Sequence, residues 1–455
     1  MKTTRIAAGG IAAAVIASTV LAAATSAQAD TAPQEKDVVS TGSDILQTAF
    51  NFVADGYGAL PGYNTAGNRW RFINIDSSGD AQGRTAFTDP RLLTTITGNG
   101  TVGENGVKYI KQSDVKVLNP AIALRAGQPL VVRPSGGGGG GRDAIINDYV
   151  DGDGIGNWID VGRSPDPVDA SGQTNQNKAQ DQLGTKLYSV QFGTDRQVMA
   201  TAAETNAPES LSAETVKKIY KGEIRTWNQI PGNESGSTET IIPLTLPNDA
   251  GMWNTFLAGV RAANGLTATT WTDADARSNP NSFNVQQNDP TAITALPPSQ
   301  QKNAIVPFPR SRAAVVNSGY YTVAADGADQ TNPYNGTREY TKSFTRDGKT
   351  LGNHRIAASA SGIKLLAASS SSTGASAPYG QNFALRAIFR QSDLDSTVPW
   401  QPGSTLNWVR TLFYNPGGDA VPFVRTPAGK ALVEAAGQVP TYRVFGTDNQ
   451  EIDVE

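Results

Sequence analysis

Residues 131–164 read VVRPSGGGGGGRDAIINDYVDGDGIGNWIDVGRS. A run ending at Val131-Val132 meets Arg133, Pro134 and Ser135, then six consecutive glycines, Gly136 to Gly141. Arg142-Asp143-Ala144-Ile145-Ile146 follows and is able to begin a helix. Trp158-Ile159-Asp160-Val161 reads as another short strand, closed by Gly162-Arg163-Ser164. A strand, a glycine loop and a helix start make an anion trap in outline. Glycine lets the backbone approach a ligand, and the first helical turn leaves N–H groups without partners. Six glycines are equally the composition of a flexible tether. The rest of the chain decides between these readings.

That remainder alternates strands with helices. Asp37 to Gly56 reads strand, turn, helix: Val38 and Val39, then Gly42-Ser43-Asp44, then Leu46, Ala49, Phe50 and Val53 at helical spacing. Ser43 or Asp44 stands where a cap belongs. Arg69 to Ile75, Leu187 to Phe192, Ile241 to Leu246 and Ala304 to Phe308 read as strands. Leu211 to Ile230, LSAETVKKIYKGEIRTWNQI, is the best-punctuated segment: Ser212 caps, Glu214 lies in the first turn, Val216, Ile219 and Tyr220 make a face, and Gly222 stops the helix. Helices follow at Trp253 to Val260, Leu406 to Tyr414 and Pro427 to Ala436. This order predicts an α/β fold with mixed, mostly parallel sheets.

With 455 residues the chain is long enough for two lobes with cores of their own. A net charge of −3 and the lack of any basic block argue against a nucleic-acid partner. Lys2 and Arg5, the small apolar run Ile6 to Ala24 and the motif Ala27-Gln28-Ala29 predict a signal peptide over residues 1–29 and hence secretion. The sequence has no cysteine, so disulfides, thiolate metal sites, a cysteine nucleophile and a lipobox are all excluded. Enzyme motifs are thin. The single histidine is His354, beside a polar stretch, and no G-x-S-x-G elbow occurs. Gly348-Lys349-Thr350 lacks the first P-loop glycine, where Ser343 stands. Asp151 to Gly156 is a partial calcium-loop pattern spoiled by Ile155 and by Gly162 in place of the final glutamate. No catalytic residue, metal or cofactor is expected, and the seven tryptophans read as packing residues.

At Ile219-Tyr220-Lys221-Gly222-Glu223-Ile224-Arg225-Thr226-Trp227 the chain resembles the phosphate-type substrate-binding proteins of ABC transporters, whose pattern here is IYxGxIxxW. Other family-like pieces occur in order: Thr41-Gly42-Ser43-Asp44, Arg133-Pro134, Asp160 to Ser164, Asn303 to Phe308, and Thr426-Pro427-Ala428-Gly429-Lys430 through Val439-Pro440. The resemblance implies a periplasmic-binding-protein-like fold of two α/β lobes joined by two crossover strands. Residues 37–190 and 304–455 would form one lobe, with a polar insertion near 324–377, and residues 191–303 the other. It implies a small anionic, phosphate-like ligand held by Gly42, Ser43 and Asp44, by Ser135 and Gly136, by Arg163 and Ser164, and at Gly251. It also implies an ABC transporter permease as partner and a monomeric protein.

The fourth loop departs from the family. Where members carry a Gly-Ser-Gly-Thr turn opening a helix, this chain has Asp249-Ala250-Gly251-Met252 and then Trp253. Both hydroxyls are gone and no arginine is adjacent. Two hydrogen bonds to a charged ligand, about 1.5–3 kcal/mol each, would be missing. Asp249 would repel an anion it faced. The sequence therefore supports two functions: capture of a small oxyanion, and a repurposed extracellular binding protein that keeps the fold without phosphate.

Overall fold

The computed structural model describes residues 35–75, 139–147, 158–317 and 363–454 with short breaks, and isolated strand pairs within 101–132 and 344–351. Ser135, Gly136, Trp70, Asp249, His354, the partial calcium loop and nearly all of the insertion near 324–377 lie outside the described residues.

The elements used below are, in chain order, β1 (Val38–Gly42), α1 (Gln47–Asp55), β2 (Phe72–Asn74), α2 (Gly140–Ile146), β3 (Val161–Ser164), α3 (Thr174–Leu183), β4 (Leu187–Ala202), α4 (Ala213–Lys221), β5 (Ile242–Thr245), α5 (Gly251–Asn264), β6 (Phe283–Asn284), β7 (Ala304–Pro309), α6 (Arg310–Asn317), β8 (Ile363–Leu365), β9 (Gln381–Arg390), α7 (Pro427–Ala435) and β10 (Val439–Phe445). One mixed sheet runs β2-β1-β3-β9-β4-β7-β5-β6 and continues to Lys108–Tyr109 and Thr101–Val102. Its two flanks are parallel: β1 pairs β2 and β3, while β5 pairs β6 and β7. Its middle is antiparallel, where β4 meets β9, β10, β7 and β8. The fold is α/β, with a parallel block on each side of long antiparallel connecting strands.

The connecting strand is longer than the sequence pattern. Leu187 to Phe192 shows as a strand by its apolar residues, yet β4 continues for 16 residues through Thr194-Asp195-Arg196-Gln197. Polar residues persist in it because β4 is paired along both edges over much of its length, and Asp195 and Arg196 are still held by β9 where the other edge has no partner strand. Its first part lies between β9 and β10, and its second part lies between β8 and β7. Backbone pairing, rather than side-chain patterning, holds the segment extended.

Two other expectations shift. The strand read at Trp158–Val161 forms three residues later, as Val161–Ser164, so Arg163 and Ser164 are in the ladder and not beyond it. Trp158 and Ile159 are buried in a side cluster, and Asp160 spends its carboxylate on the Val39 N–H (2.7 Å) and on Arg125 (2.8 Å). Neither Ser43 nor Asp44 caps α1. The helix starts at Gln47, and its N-cap, Leu46, makes no side-chain bond. Ile45 and Leu46 are buried apolar residues that set where the turn enters the core.

The IYxGxIxxW segment is architecture. Ser212 accepts from the Thr215 N–H, and Gly222 (φ 79°) ends α4 in the left-handed region. The Tyr220 hydroxyl donates to Leu244 O at 2.9 Å, and the Trp227 indole N–H donates to Asn303 Oδ1 at 2.8 Å. These bonds tie α4 to β5 and to the start of β7, with both side chains fully buried. Trp253 belongs to the same core. Its ring stacks on Phe256 (centroids 5.0 Å apart) and lies under the Arg277 guanidinium at 4.3 Å. In the other block, Phe50, Phe192 and Phe413 make the equivalent aromatic centre, the first two 5.1 Å apart. Each such side chain contributes about 1.5–3 kcal/mol of burial.

Candidate functional site

The loops that follow parallel strands at their carboxyl ends are where an open α/β sheet gathers ligands. Three come together here: the loop after β1, the start of α5 after β5, and the turn after β6. A fourth group, from β4 and the start of α6, closes the ring.

The first loop is built on glycine contacts. Gly42 has φ 119°, and a Cβ there would stand 2.5 Å from Arg163 O and 2.5 Å from Gly141 Cα. Gly141, at the end of the glycine run, would put its own Cβ 2.3 Å from Arg163 O. The backbones of β1, β3 and α2 therefore touch without side chains between them. The glycine run thus ends as a packed element, with Gly140 and Gly141 in the first turn of α2.

Arg163 fastens this loop from behind. It is fully buried, and its guanidinium donates to Ser43 O (3.0 Å), Gly42 O (2.9 Å) and Ile75 O (2.9 Å), and to Asn74 Oδ1. A planar fork with five N–H donors suits several acceptors spread round a bend. The Ser43 N–H donates to Arg163 O at 3.0 Å, so this N–H is engaged within the chain. Ser164 turns away into a local bend: its hydroxyl donates to Asp166 O (2.9 Å) and accepts from the Asp166 N–H (3.1 Å). Burial raises the Asp166 carboxyl above its usual range, opposed by Arg142 and Arg386.

Two residues after Gly42, Asp44 reaches the opposite block. Its Oδ1 accepts from Asn288 Nδ2 at 2.8 Å and from Gln287 Nε2 at 3.3 Å. Gln287 Oε1 in turn accepts from the Met252 N–H at 3.4 Å, next to Gly251 in the first turn of α5. Met252 O accepts from Gln197 Nε2 of β4 (2.8 Å), whose Oε1 takes the Tyr379 hydroxyl (2.7 Å). Arg312 of α6 donates to Asn288 O at 3.4 Å. Asp44 thus lies in one hydrogen-bonded cluster with Gln287, Asn288 and Met252, while Gly42 and Gly251 only adjoin it in the chain and Arg163 and Ser164 bond elsewhere. Within the cluster, Ser43 Oγ and Asn288 Oδ1 are buried and have no hydrogen-bond partner among the described residues.

Gln197, Gln287, Asn288 and Arg312 escape sequence reasoning. No motif marks them: Gln197 is a polar residue inside β4, and Gln287, Asn288 and Arg312 are ordinary polar residues a few positions past strand ends. One faint signal exists: Arg310-Ser311-Arg312 directly follows the short apolar strand Ala304–Phe308.

Asp195 on β4 is the other unusual group. It is buried, and its carboxylate accepts from the Ser311 N–H (3.2 Å), the Ser311 hydroxyl and the Arg196 N–H (2.7 Å). Desolvation outweighs these bonds and pushes the carboxyl up to about 6, with Arg310 opposing. A folded-state value above the ordinary 3.8 means that the native state holds the proton more tightly. The contribution to stability is then full below the unfolded value and is lost as pH rises through about 6. Asp195→Asn keeps the shape, with Oδ1 still accepting from the Ser311 N–H and the new NH2 placed to donate to the Ser311 hydroxyl oxygen. Measured by urea unfolding at pH 4.5 and pH 7.5, it should gain on the native protein by roughly 2–3 kcal/mol across that interval. A stability difference that does not move with pH would contradict the assignment.

Among the described residues, no group of three or more His, Cys, Asp or Glu side chains comes together as a metal site, and no helix is long and apolar enough to cross a membrane.

An α/β sheet with glycine-bearing loops at its strand ends is an architecture that gathers ligands there. The chain belongs to the PBP superfamily: the model of the PBP superfamily domain matches residues 22–358. Among solved structures, the chain is similar to the high-affinity periplasmic phosphate-binding protein PfluDING bound with phosphate, at 14% identity over 89% of this chain and 90% of that one, with a TM-score of 0.41. An ancestral soluble variant of the human phosphate binding protein shares 13% identity over 89% and 90% (TM-score 0.43). An ABC-type phosphate transport receptor from Vibrio cholerae shares 11% over 67% and 86% (TM-score 0.30). Among curated proteins nothing matches.

Proposed function

We propose that this protein is a non-catalytic solute-binding protein that captures a small oxyanion, phosphate in the first instance, in the crevice between two lobes. Residues 37–190 with 304–455 form one lobe and residues 191–303 the other. The observation that carries the reading is the meeting of the β1 loop with the α5 start and the β6 turn around Asp44, with the Ser43 hydroxyl buried beside them and unpartnered. A buried hydroxyl without a partner is costly unless something completes it. A protonated oxyanion offers both lone pairs and a proton, and so suits Ser43 Oγ together with Asn288 Oδ1. Ser135 and Gly136 complete the ligand set from the glycine run. Gly42 supplies the close backbone approach and Gly251 the start of a 14-residue helix whose dipole favours negative charge. Arg163 acts by holding the loop in shape, and Ser164 by fixing the bend after it.

The leader pattern before Asp30 supports export, and delivery to an ABC permease by a monomer fits this class of protein. Calorimetric titration of the chain from Asp30 onward with phosphate tests the reading. Micromolar or tighter binding is expected, weakened about 10-fold or more by Ser43→Ala. Absence of heat at millimolar phosphate would reject phosphate. It would favour the second reading, an extracellular binding protein that keeps the fold, to which the loss of both hydroxyls at Ala250 and Met252 already points.

A further inference from the structure

We infer that Gln287 and Asn288 form a latch that closes the two blocks on each other through the chain's own atoms. The latch makes closure partly independent of ligand and replaces the hydroxyl-bearing turn that the α5 start lacks. This inference concerns the crevice named above and rests on that reading for its location.

The contacts form a continuous path. Asp44 stands after β1 in one parallel block; Gln287 and Asn288 stand after β6 in the other. One carboxylate oxygen of Asp44 takes both amide N–H groups, at 2.8 Å from Asn288 and 3.3 Å from Gln287. Donors and acceptor are all buried, where a hydrogen bond is not weakened by competing water: Asp44 is 1% exposed, and Gln287 and Asn288 are 2% exposed each. The Asn288 amide has one orientation consistent with this, because its NH2 must face the carboxylate.

The backbone of Asn288 agrees with a specific role. Its φ is 56°, in the left-handed region that side chains other than asparagine and aspartate rarely adopt. Only Asn449 shares this among the described non-glycine residues. The conformation turns the amide toward Asp44 while the Asn288 carbonyl accepts from Arg312 of α6. Gln287 uses its remaining atom on the Met252 N–H. That N–H lies in the first turn of α5, which the lost hydroxyls would have shared with a ligand, so the latch also occupies part of the helix start.

The result is a closed state supported by four side chains from three parts of the chain. A ligand gains less from closing such a protein, since closure is already populated, and correspondingly loses less in affinity to the closing step.

Two introduced cysteines test this, because the chain has none of its own. Asp181→Cys on α3 and Glu234→Cys in the loop after α4 lie on exposed surface in opposite blocks, and spin labels there report the inter-block distance. In buffer without phosphate, the labelled protein is expected to show mainly the short distance. Asn288→Gly removes the amide while keeping a residue at ease with positive φ, so folding is retained, and Asn288→Asp sets a second carboxylate against Asp44. Both are expected to raise the long-distance population several-fold, Asn288→Asp the more. A single cooperative thermal transition for Asn288→Gly well above the measuring temperature, even at a lowered midpoint, shows that the shift is not loss of fold. If the ligand-free protein is already open, or if both variants are as closed as the parent, the latch is wrong. If phosphate gives no heat with any of the proteins while the distance shift remains, the latch stands and the phosphate reading falls.

Discussion

Replacing Arg163 by methionine should lower stability by about 3–5 kcal/mol, with a loss of ligand affinity that follows from the misplaced loop. Methionine nearly matches the arginine stem in length and apolar packing. It donates nothing, so Ser43 O, Gly42 O, Ile75 O and Asn74 Oδ1 all lose a donor in a site with no exposure. Each buried acceptor left unmet costs about 1–3 kcal/mol, reduced by relaxation and by any water that enters. Arg163→Lys should recover only part of the loss, because one ammonium cannot reach acceptors placed round a planar fork. Equilibrium urea unfolding gives the number. A drop under about 1 kcal/mol for the methionine variant would mean that the guanidinium is not what holds the bend.

The second large effect is steric. Gly141→Ala and Gly42→Ala should each destabilise by about 3 kcal/mol or more, or abolish folding. At Gly141 the new methyl meets backbone on its neighbour, 2.3 Å from Arg163 O and 2.5 Å from Arg163 N. At Gly42 the same kind of clash is joined by φ 119°, a conformation open to glycine alone. Neither neighbour is able to retreat, since Gly42 and Arg163 are paired in the β1–β3 ladder. Gly184→Ala provides the contrast. Its φ is 67° with nothing within 4 Å, so only the backbone term of about 1 kcal/mol applies. Thermal unfolding of the three variants side by side tests the ranking; equal losses would remove the argument from close approach.

These two predictions bear on how far a one-dimensional reading goes. The alternation of strands and helices, the cap-to-stop signals of α4 and the ordered family-like pieces were all legible, because they depend on periodicity and on local turn chemistry. The glycine bend at Gly42 was legible for the same reason. The limit appears at Arg163, which the family pattern assigns to the ligand and the structure sets among carbonyls behind the loop. An arginine and its acceptors from two other segments look alike in sequence whichever way the side chain points.

By itself the sequence determined an α/β chain with glycine-bearing bends after its strands, and it showed that the fourth bend had lost its hydroxyls. Side-chain periodicity and backbone stereochemistry are local, and local physics is written residue by residue. Only the tertiary structure decided that Asp44 meets Gln287 and Asn288, that Gln197 reaches Met252, and that Gly141 is the glycine of its run packed on Gly42. Such pairs are separated by many residues and are selected by sheet order and burial. No spacing along the chain encodes the partner that a buried polar group requires.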